Sequence, residues 1–190
     1  MIIRAAAPSE VDTVVDVLCE AFHEDPVSGW IFPDEERRVM AHSIFFRTMV
    51  RGVLAMGGDV DVTDDLSAVI LWSPHAAGGE PDGGAFAGLA QAELGRLGEL
   101  FELMTRAGPD GEYHHAQFIG VRTSGQRKGI GARLMRHGLD RYSAEGLPAY
   151  LEASTPESAK LYRRLGFRDH GAVFAADGGP PMRPMWRDPA

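Results

Sequence analysis

The segment Gln126-Arg127-Lys128-Gly129-Ile130-Gly131 joins a strand-like run at 116–122 to an amphipathic helical pattern at 130–142. A glycine turn that opens directly into a helix leaves the first backbone N–H groups of that helix without intrahelical partners. Those groups sit at the positive end of the helix dipole, where an anion such as a phosphate can take the missing places. Gly129 and Gly131 carry no Cβ, so a ligand can approach the backbone closely there. On its own the Q-x-x-G-x-G pattern is short, and an isolated match is equally a glycine-bearing loop.

The rest of the chain supplies the context. A second strand pattern covers 149–153, a second helical run covers 156–165, and the latter contains Leu161-Tyr162-Arg163-Arg164-Leu165-Gly166-Phe167. The order is strand, glycine turn, helix, strand, helix, strand. With these motifs the chain resembles the GNAT superfamily of acyl-CoA-dependent N-acetyltransferases. The resemblance runs from Ile2 to the end and is concentrated between His114 and Arg187. Within the superfamily the chain is similar to small-molecule enzymes of the puromycin N-acetyltransferase type. The shared features are the Ile-Arg-Ala start, the Glu24-Asp25-Pro26 turn, Val62-Thr63-Asp64-Asp65, the runs 68–72 and 146–154, and the Leu-Tyr-x-x-x-Gly-Phe signature.

That resemblance implies an α/β (α+β) fold: a central, mostly antiparallel mixed sheet with flanking helices, in which two neighbouring parallel strands splay apart to form the CoA cleft. It implies acetyl-CoA as co-substrate. The pantetheine arm then lies along the backbones of Ile119, Gly120 and Val121, and the pyrophosphate sits on Gln126, Arg127, Lys128, Gly129, Ile130, Gly131 and Ala132. Arg127 and Lys128 either add charge at the phosphates or are solvated loop cations. Thr155 stands where many relatives carry an asparagine that contacts the cofactor arm, and a shorter hydroxyl can make a similar hydrogen bond.

The resemblance also implies Tyr162 as general acid, donating a proton to the departing CoA thiolate. Glu152 is the second catalytic candidate, because a carboxylate inside the strand at 149–153 needs a reason to be there. An alkylammonium titrates near pH ~10, so the acceptor must lose a proton before it attacks. Glu152 can take that proton directly or through water, or it can simply bind a cation. His115, read as sharing a strand face with Gln117 and Ile119, is an alternative base or else a surface histidine at the strand entrance.

The 190 residues read as a single domain over 1–190, and 44% hydrophobic residues is ordinary for a soluble globular protein. The start of the chain has no basic region followed by an apolar run, and no stretch approaches the ~20 apolar residues of a membrane span. The net charge of −8 argues against nucleic acid and anionic membrane as partners and is compatible with a cationic amine. The one cysteine, Cys19, cannot form an internal disulfide, which suits a reducing cytoplasm, and its place near Leu18 and Phe22 reads as a packed, inert thiol. Lys128 and Lys160 are the only lysines against many arginines, a bias that suggests a GC-rich bacterial genome. No metal site and no acyl-cysteine intermediate are expected, and the assembly is expected to be a monomer or homodimer.

In chain order, a strand is expected at 2–5, then a helix begun by Pro8 with Val11, Val14, Leu18 and Phe22 on one face. Residues 23–33 break the pattern. A helix capped by Asp34 covers 34–54 and stops at Gly57-Gly58. A hairpin follows, with strands at 59–63 and 67–73 about an acidic turn. Residues 74–84 read as a loop and 85–106 as a glycine-weakened helix. After Gly166, strands are expected at 168–175 and 182–187 around a loop at 178–181, and Pro184 marks the last strand as an edge or a bulge. Substrate selection is expected from 23–33 and 74–112, with Glu24 and Asp25 attracting a cation and Trp30, Phe32, Trp72 and Phe86 forming an aromatic wall.

Two rivals to a small-molecule acetyltransferase remain at this stage: an enzyme acting on a protein or peptide amine, and a non-catalytic acyl-CoA-binding module.

Overall fold

The computed structural model describes residues 1–75 and 86–190. Strand β1 (Ile3–Ala5) leads through a short 3₁₀ turn into helix α1 (Val11–Phe22). Helices α2 (Pro26–Ile31) and α3 (Glu35–Ala55) precede the hairpin of β2 (Asp59–Thr63) and β3 (Ala68–His75). Then come α4 (Gln91–Ala107), β4 (Tyr113–Val121), α5 (Ile130–Ala144), β5 (Ala149–Ala153), α6 (Pro156–Arg164), β6 (Arg168–Asp169) and β7 (Arg183–Arg187).

The local chemistry explains most of these boundaries. Asp25 and Asp34 cap α2 and α3 by accepting from the backbone N–H groups of Val27, Ser28 and Arg37. After α3 the chain turns at Gly57, whose φ of 75° is open to glycine at little cost. The β2–β3 turn is tied by Asp65, which accepts from both the backbone and the hydroxyl of Ser67.

The seven strands form one sheet in the order β1-β2-β3-β4-β5-β7-β6. Every pairing is antiparallel except β4 with β5. Alternation along β3 divides the core in two. Val69 and Leu71 pack with Val14, Leu18, Phe45 and Phe46 of α1 and α3, whereas Ala68, Ile70 and Trp72 pack with Leu134, Met135 and Leu139 of α5.

One irregularity sets the shape of the sheet's centre. Leu71 pairs with Phe118 but Trp72 pairs with Ala116, so Gln117 is an extra residue in β4, a β-bulge. The bulge reverses the facing of the strand. His115 lies opposite Ser73, on the Leu71 and Phe118 side, while Ile119 lies opposite Ile70 and packs towards α5. The expectation that His115 and Ile119 share a face is therefore wrong, because simple alternation fails across an inserted residue.

Other boundaries also differ from the sequence reading. Residues 23–33 include α2, since Asp25-Pro26 is itself a helix start. Pro74 and His75 continue β3, and the remainder of the expected loop, together with Ala85, lies outside the described residues. Helix α4 begins at Gln91, where Glu93 reaches back to the Ala90 N–H. The strand expected at 168–175 is only two residues long, followed by a lone bridge between Phe174 and Met182. Strand β7 is not an edge but lies between β5 and β6; Pro184 is accommodated because β6 pairs only with Trp186 and Met185.

Candidate active site

Parallel pairing of β4 with β5 consists of two positions, His114 with Ala149 and His115 with Tyr150. Beyond them β4 continues to Val121 and β5 to Ala153 without further pairing, and the bulge at Gln117 falls where they part. The result is a cleft between the two strands, in which the segment Ile119, Gly120 and Val121 pairs with β3 but not with β5. Gly120 has a packing reason of its own: a Cβ there would meet Ala21 and Leu18 of α1 at 3.2 Å.

At the far end of β4 the chain makes the turn that opens α5. Gln126 closes it by donating from Nε2 to the Val121 carbonyl at 3.2 Å. Arg127 and Gly129 are left-handed, with φ of 61° and 79°, the kind of turn in which successive amides can form an anion-binding concavity. Arg127 and Lys128 are exposed. Gly129 gives α5 no side-chain cap, in contrast to Asp25, Asp34 and Thr155 at α2, α3 and α6. A Cβ at Gly131 would meet Ile119 and Val121 at an ordinary 3.6 Å, so packing within the chain does not demand glycine there. An uncapped helix start, room at Gly131 and free strand backbone are what a phosphate followed by an extended arm requires.

Tyr162 is buried on α6, beside Phe167. Burial, and next the nearby Asp25 charge, push its phenol above the ordinary tyrosine value, so it holds its proton. Asp25 reaches this end of β5 through Ser154, whose hydroxyl donates to Asp25 Oδ2 at 2.7 Å. The Asp25–Ser154 link is the feature sequence reasoning missed. The sequence reading took Asp25-Pro26 as part of a turn, and the tertiary partner 129 positions away left no signal in it.

Glu152 and His115 meet across the parallel pair, with Oε2 and Nε2 2.7 Å apart and side chains 4% and 16% exposed. His115 is thus not a surface histidine. Around them stand Tyr113, Tyr150 and His75. The Tyr113 and Tyr150 phenols are raised by burial and by the Glu152 charge, and His75 is lowered by burial and by His115.

The structure also places Thr155, the aromatic residues and Cys19. The Thr155 hydroxyl caps α6, accepting from the Ser158 N–H at 3.1 Å. Trp72 is fully buried beneath α5 on the opposite face of the sheet, and Phe32 is core, so neither forms a wall of the site; Trp30 and Phe86 are half-buried on the α1 and α3 side. Cys19 is packed, with its thiol pushed up to about 11 by burial. Among the described residues no cluster of histidine, cysteine and carboxylates is arranged to hold a metal, and no helix is long and apolar enough to cross a membrane.

Residues 92–169 match the family model described as Acetyltransferase (GNAT) domain. A solved structure described as histone acetyltransferase HPA2 and related acetyltransferase, from Corynebacterium glutamicum, is 27% identical. It aligns over 99% of this chain and 96% of its own, with a TM-score of 0.74. Arylalkylamine N-acetyltransferase 2 from Aedes aegypti (12% identity, 100% and 99% coverage, TM-score 0.71) and an agmatine N-acetyltransferase (16%, 97% and 97%, 0.65) share the fold. The chain has the GNAT fold, and its residues 92–169 match a GNAT acetyltransferase domain, which supports an N-acetyltransferase.

Proposed function

We propose that this enzyme transfers the acetyl group of acetyl-CoA directly to the primary amine of a small molecule, within a ternary complex on a single domain. The parting of β4 and β5 above the uncapped start of α5, with the buried Tyr162 phenol beside it, is the observation that carries the reading. The backbones of Ile119, Gly120 and Val121 would hold the extended arm. Gln126, Arg127, Lys128, Gly129, Ile130, Gly131 and Ala132 would hold the pyrophosphate, mainly through main-chain N–H groups. Thr155 would act by fixing the start of the helix that bears Tyr162.

Acetyl-CoA supplies the thioester. Tyr162, kept protonated by its surroundings, gives its phenolic proton to the departing thiolate and is reprotonated from solvent. The buried Glu152 and His115 pair takes the proton that the acceptor ammonium must lose. A free amine nitrogen can then form its bond to the acetyl carbon as the C–S bond breaks.

Small size of the acceptor is supported by the cover over the cleft. Asp25 and α2 are drawn onto the end of β5 by Ser154, and Trp30 of α2 donates to the Asp177 carbonyl at 3.2 Å. A competition assay tests this. Purified enzyme and acetyl-CoA are given equal concentrations of small amines (aminonucleosides such as puromycin, aminoglycosides, polyamines and arylalkylamines) and of lysine peptides. Acetylation confined to a small amine is the expected result. Preferential acetylation of the peptides would replace the small-molecule reading with a protein acceptor.

A further inference from the structure

The Glu152 and His115 pair admits a division of labour, and the geometry points to one. We infer that His115 Nδ1 is the atom that receives the acceptor's proton, and that Glu152 is a positioning residue acting through His115. The inference rests on the acetyl-transfer reading above.

A carboxylate only accepts hydrogen bonds, so the 2.7 Å contact places the ring hydrogen of His115 on Nε2 and leaves a lone pair on Nδ1. No described residue forms a hydrogen bond with that atom, and it is not one of the fully buried polar atoms. Glu152 is the more buried member, with a side chain 4% exposed against 16% for His115, so the imidazole is the one an incoming amine can reach.

The surroundings fit a polar guest. Gln117 Oε1 is buried and unpartnered among the described residues, and the Tyr150 hydroxyl is buried close to Glu152. Tyr150 packs its ring 5.4 Å from that of His115, and Gln117 donates from Nε2 to Ser73, the residue opposite His115. A buried amide oxygen such as that of Gln117 is normally satisfied, and a bound amine or its ordered water would satisfy it. The groups facing His115 are Glu152 and Tyr150 from β5, Tyr113 from its own strand and His75, next to Ser73, from β3.

In the step so defined, one N–H bond of the acceptor ammonium breaks and its proton passes to Nδ1, forming an imidazolium held by the Glu152 carboxylate. The nitrogen lone pair attacks the acetyl carbon, the C–S electrons leave with sulfur, and Tyr162 protonates that sulfur; the new amide nitrogen gives up its second proton to solvent, from which the Tyr162 phenolate is reprotonated. His115 then returns its proton to solvent. Electrons and protons balance without any further reactant.

Two measurements test the assignment. Nitrogen-15 NMR of the histidine rings, assigned with His115→Gln, should show His115 in the Nε2–H tautomer, lost or mixed in Glu152→Gln; an Nδ1–H tautomer in the wild type overturns the inference whether or not any amine turns over. With 2-phenylethylamine as acceptor probe, His115→Ala and His115→Gln should lose about 100-fold or more in kcat, and added imidazole should restore part of it to the alanine variant only. Glu152→Gln should lose about tenfold, with acetyl-CoA binding unchanged. If Glu152→Gln is dead while His115→Ala stays within about twofold of wild type, Glu152 is itself the base. Wild type that binds acetyl-CoA yet acetylates no amine removes the acetyl-transfer reading instead, and leaves the tautomer result standing.

Discussion

Asp25 Oδ2 accepts a 2.7 Å hydrogen bond from Ser154 Oγ, while Asp25 Oδ1 accepts from the backbone N–H groups of Val27 and Ser28. One carboxylate therefore starts α2 and fastens it to the end of β5, next to the helix that carries Tyr162. Loss of the cap in Asp25→Ala should cost about 1 kcal/mol, and loss of the bond in Ser154→Ala a similar amount. The two changes remove the same contact, so the double variant should cost less than their sum. Urea denaturation of the four proteins measures the coupling, and strict additivity would mean the link contributes nothing.

Tyr162→Phe keeps the ring and removes the proton. If the phenol protonates the leaving thiolate, kcat should fall by about 10²- to 10⁴-fold while acetyl-CoA affinity stays close to wild type. Steady-state kinetics with a calorimetric titration of CoA separates the two. Unchanged kcat would take Tyr162 out of the mechanism.

At the α5 turn, Gly129→Glu places a carboxylate where an anion is expected to bind and asks a side chain to adopt φ of 79°. Acetyl-CoA binding should be abolished, at a cost to stability of about 1 kcal/mol. Gly131→Ala is the gentler companion, because its Cβ finds ordinary contacts in the free protein. It should melt like wild type yet bind acetyl-CoA more weakly. Wild-type affinity in both would mean that the pyrophosphate lies elsewhere.

Gly138 has a different role. A Cβ at this position would lie 2.4 Å from the indole nitrogen of Trp72, itself fully buried, so the glycine lets α5 close on the sheet. Gly138→Ala should destabilise the protein by about 1–3 kcal/mol despite the better helix propensity of alanine. Chemical denaturation checks the sign, and a stabilised variant would refute the packing described.

His42 supplies a pH dependence. It is buried among the rings of Phe32, Phe46 and His23, and burial pushes its imidazole down to about 4, with the His23 and Arg38 charges adding to the effect. The unfolded chain takes up this proton near pH ~6.5 and the folded chain only near pH 4, so the unfolded state binds more protons between them. Stability is full above pH ~6.5 and should fall by up to about 3 kcal/mol as the pH drops through that window. Denaturation midpoints of wild type and His42→Leu across the window test this. The variant should show a flatter profile, and parallel profiles would deny the histidine its role.

The strand, turn and helix around Gly129 were legible because each rests on local chemistry: a glycine turn, an apolar period, a following proline strand start. So were the capped start of α3 at Asp34 and the stop at Gly166, which takes φ of 90°. What escaped was tertiary. The Gln117 bulge leaves no mark in composition, yet it reverses the facing of β4 and so decides that His115 meets Glu152. Trp72 looked available as an aromatic wall, but only the register of β3 places it under α5. The true extent of β6 depends on its pairing with β7, not on its own residues.

The central claim is direct acetyl transfer to a small amine, and it is tested most directly by a single-turnover experiment. Enzyme in excess over acetyl-CoA is mixed with the acceptor identified by the competition assay, and free CoA thiol and acetylated amine are quantified together by mass spectrometry. One acetylated amine per thiol released, with no acetyl group retained on the protein, is the predicted result. Thiol release without acetylated amine, or an acetyl group carried on the enzyme, would contradict it.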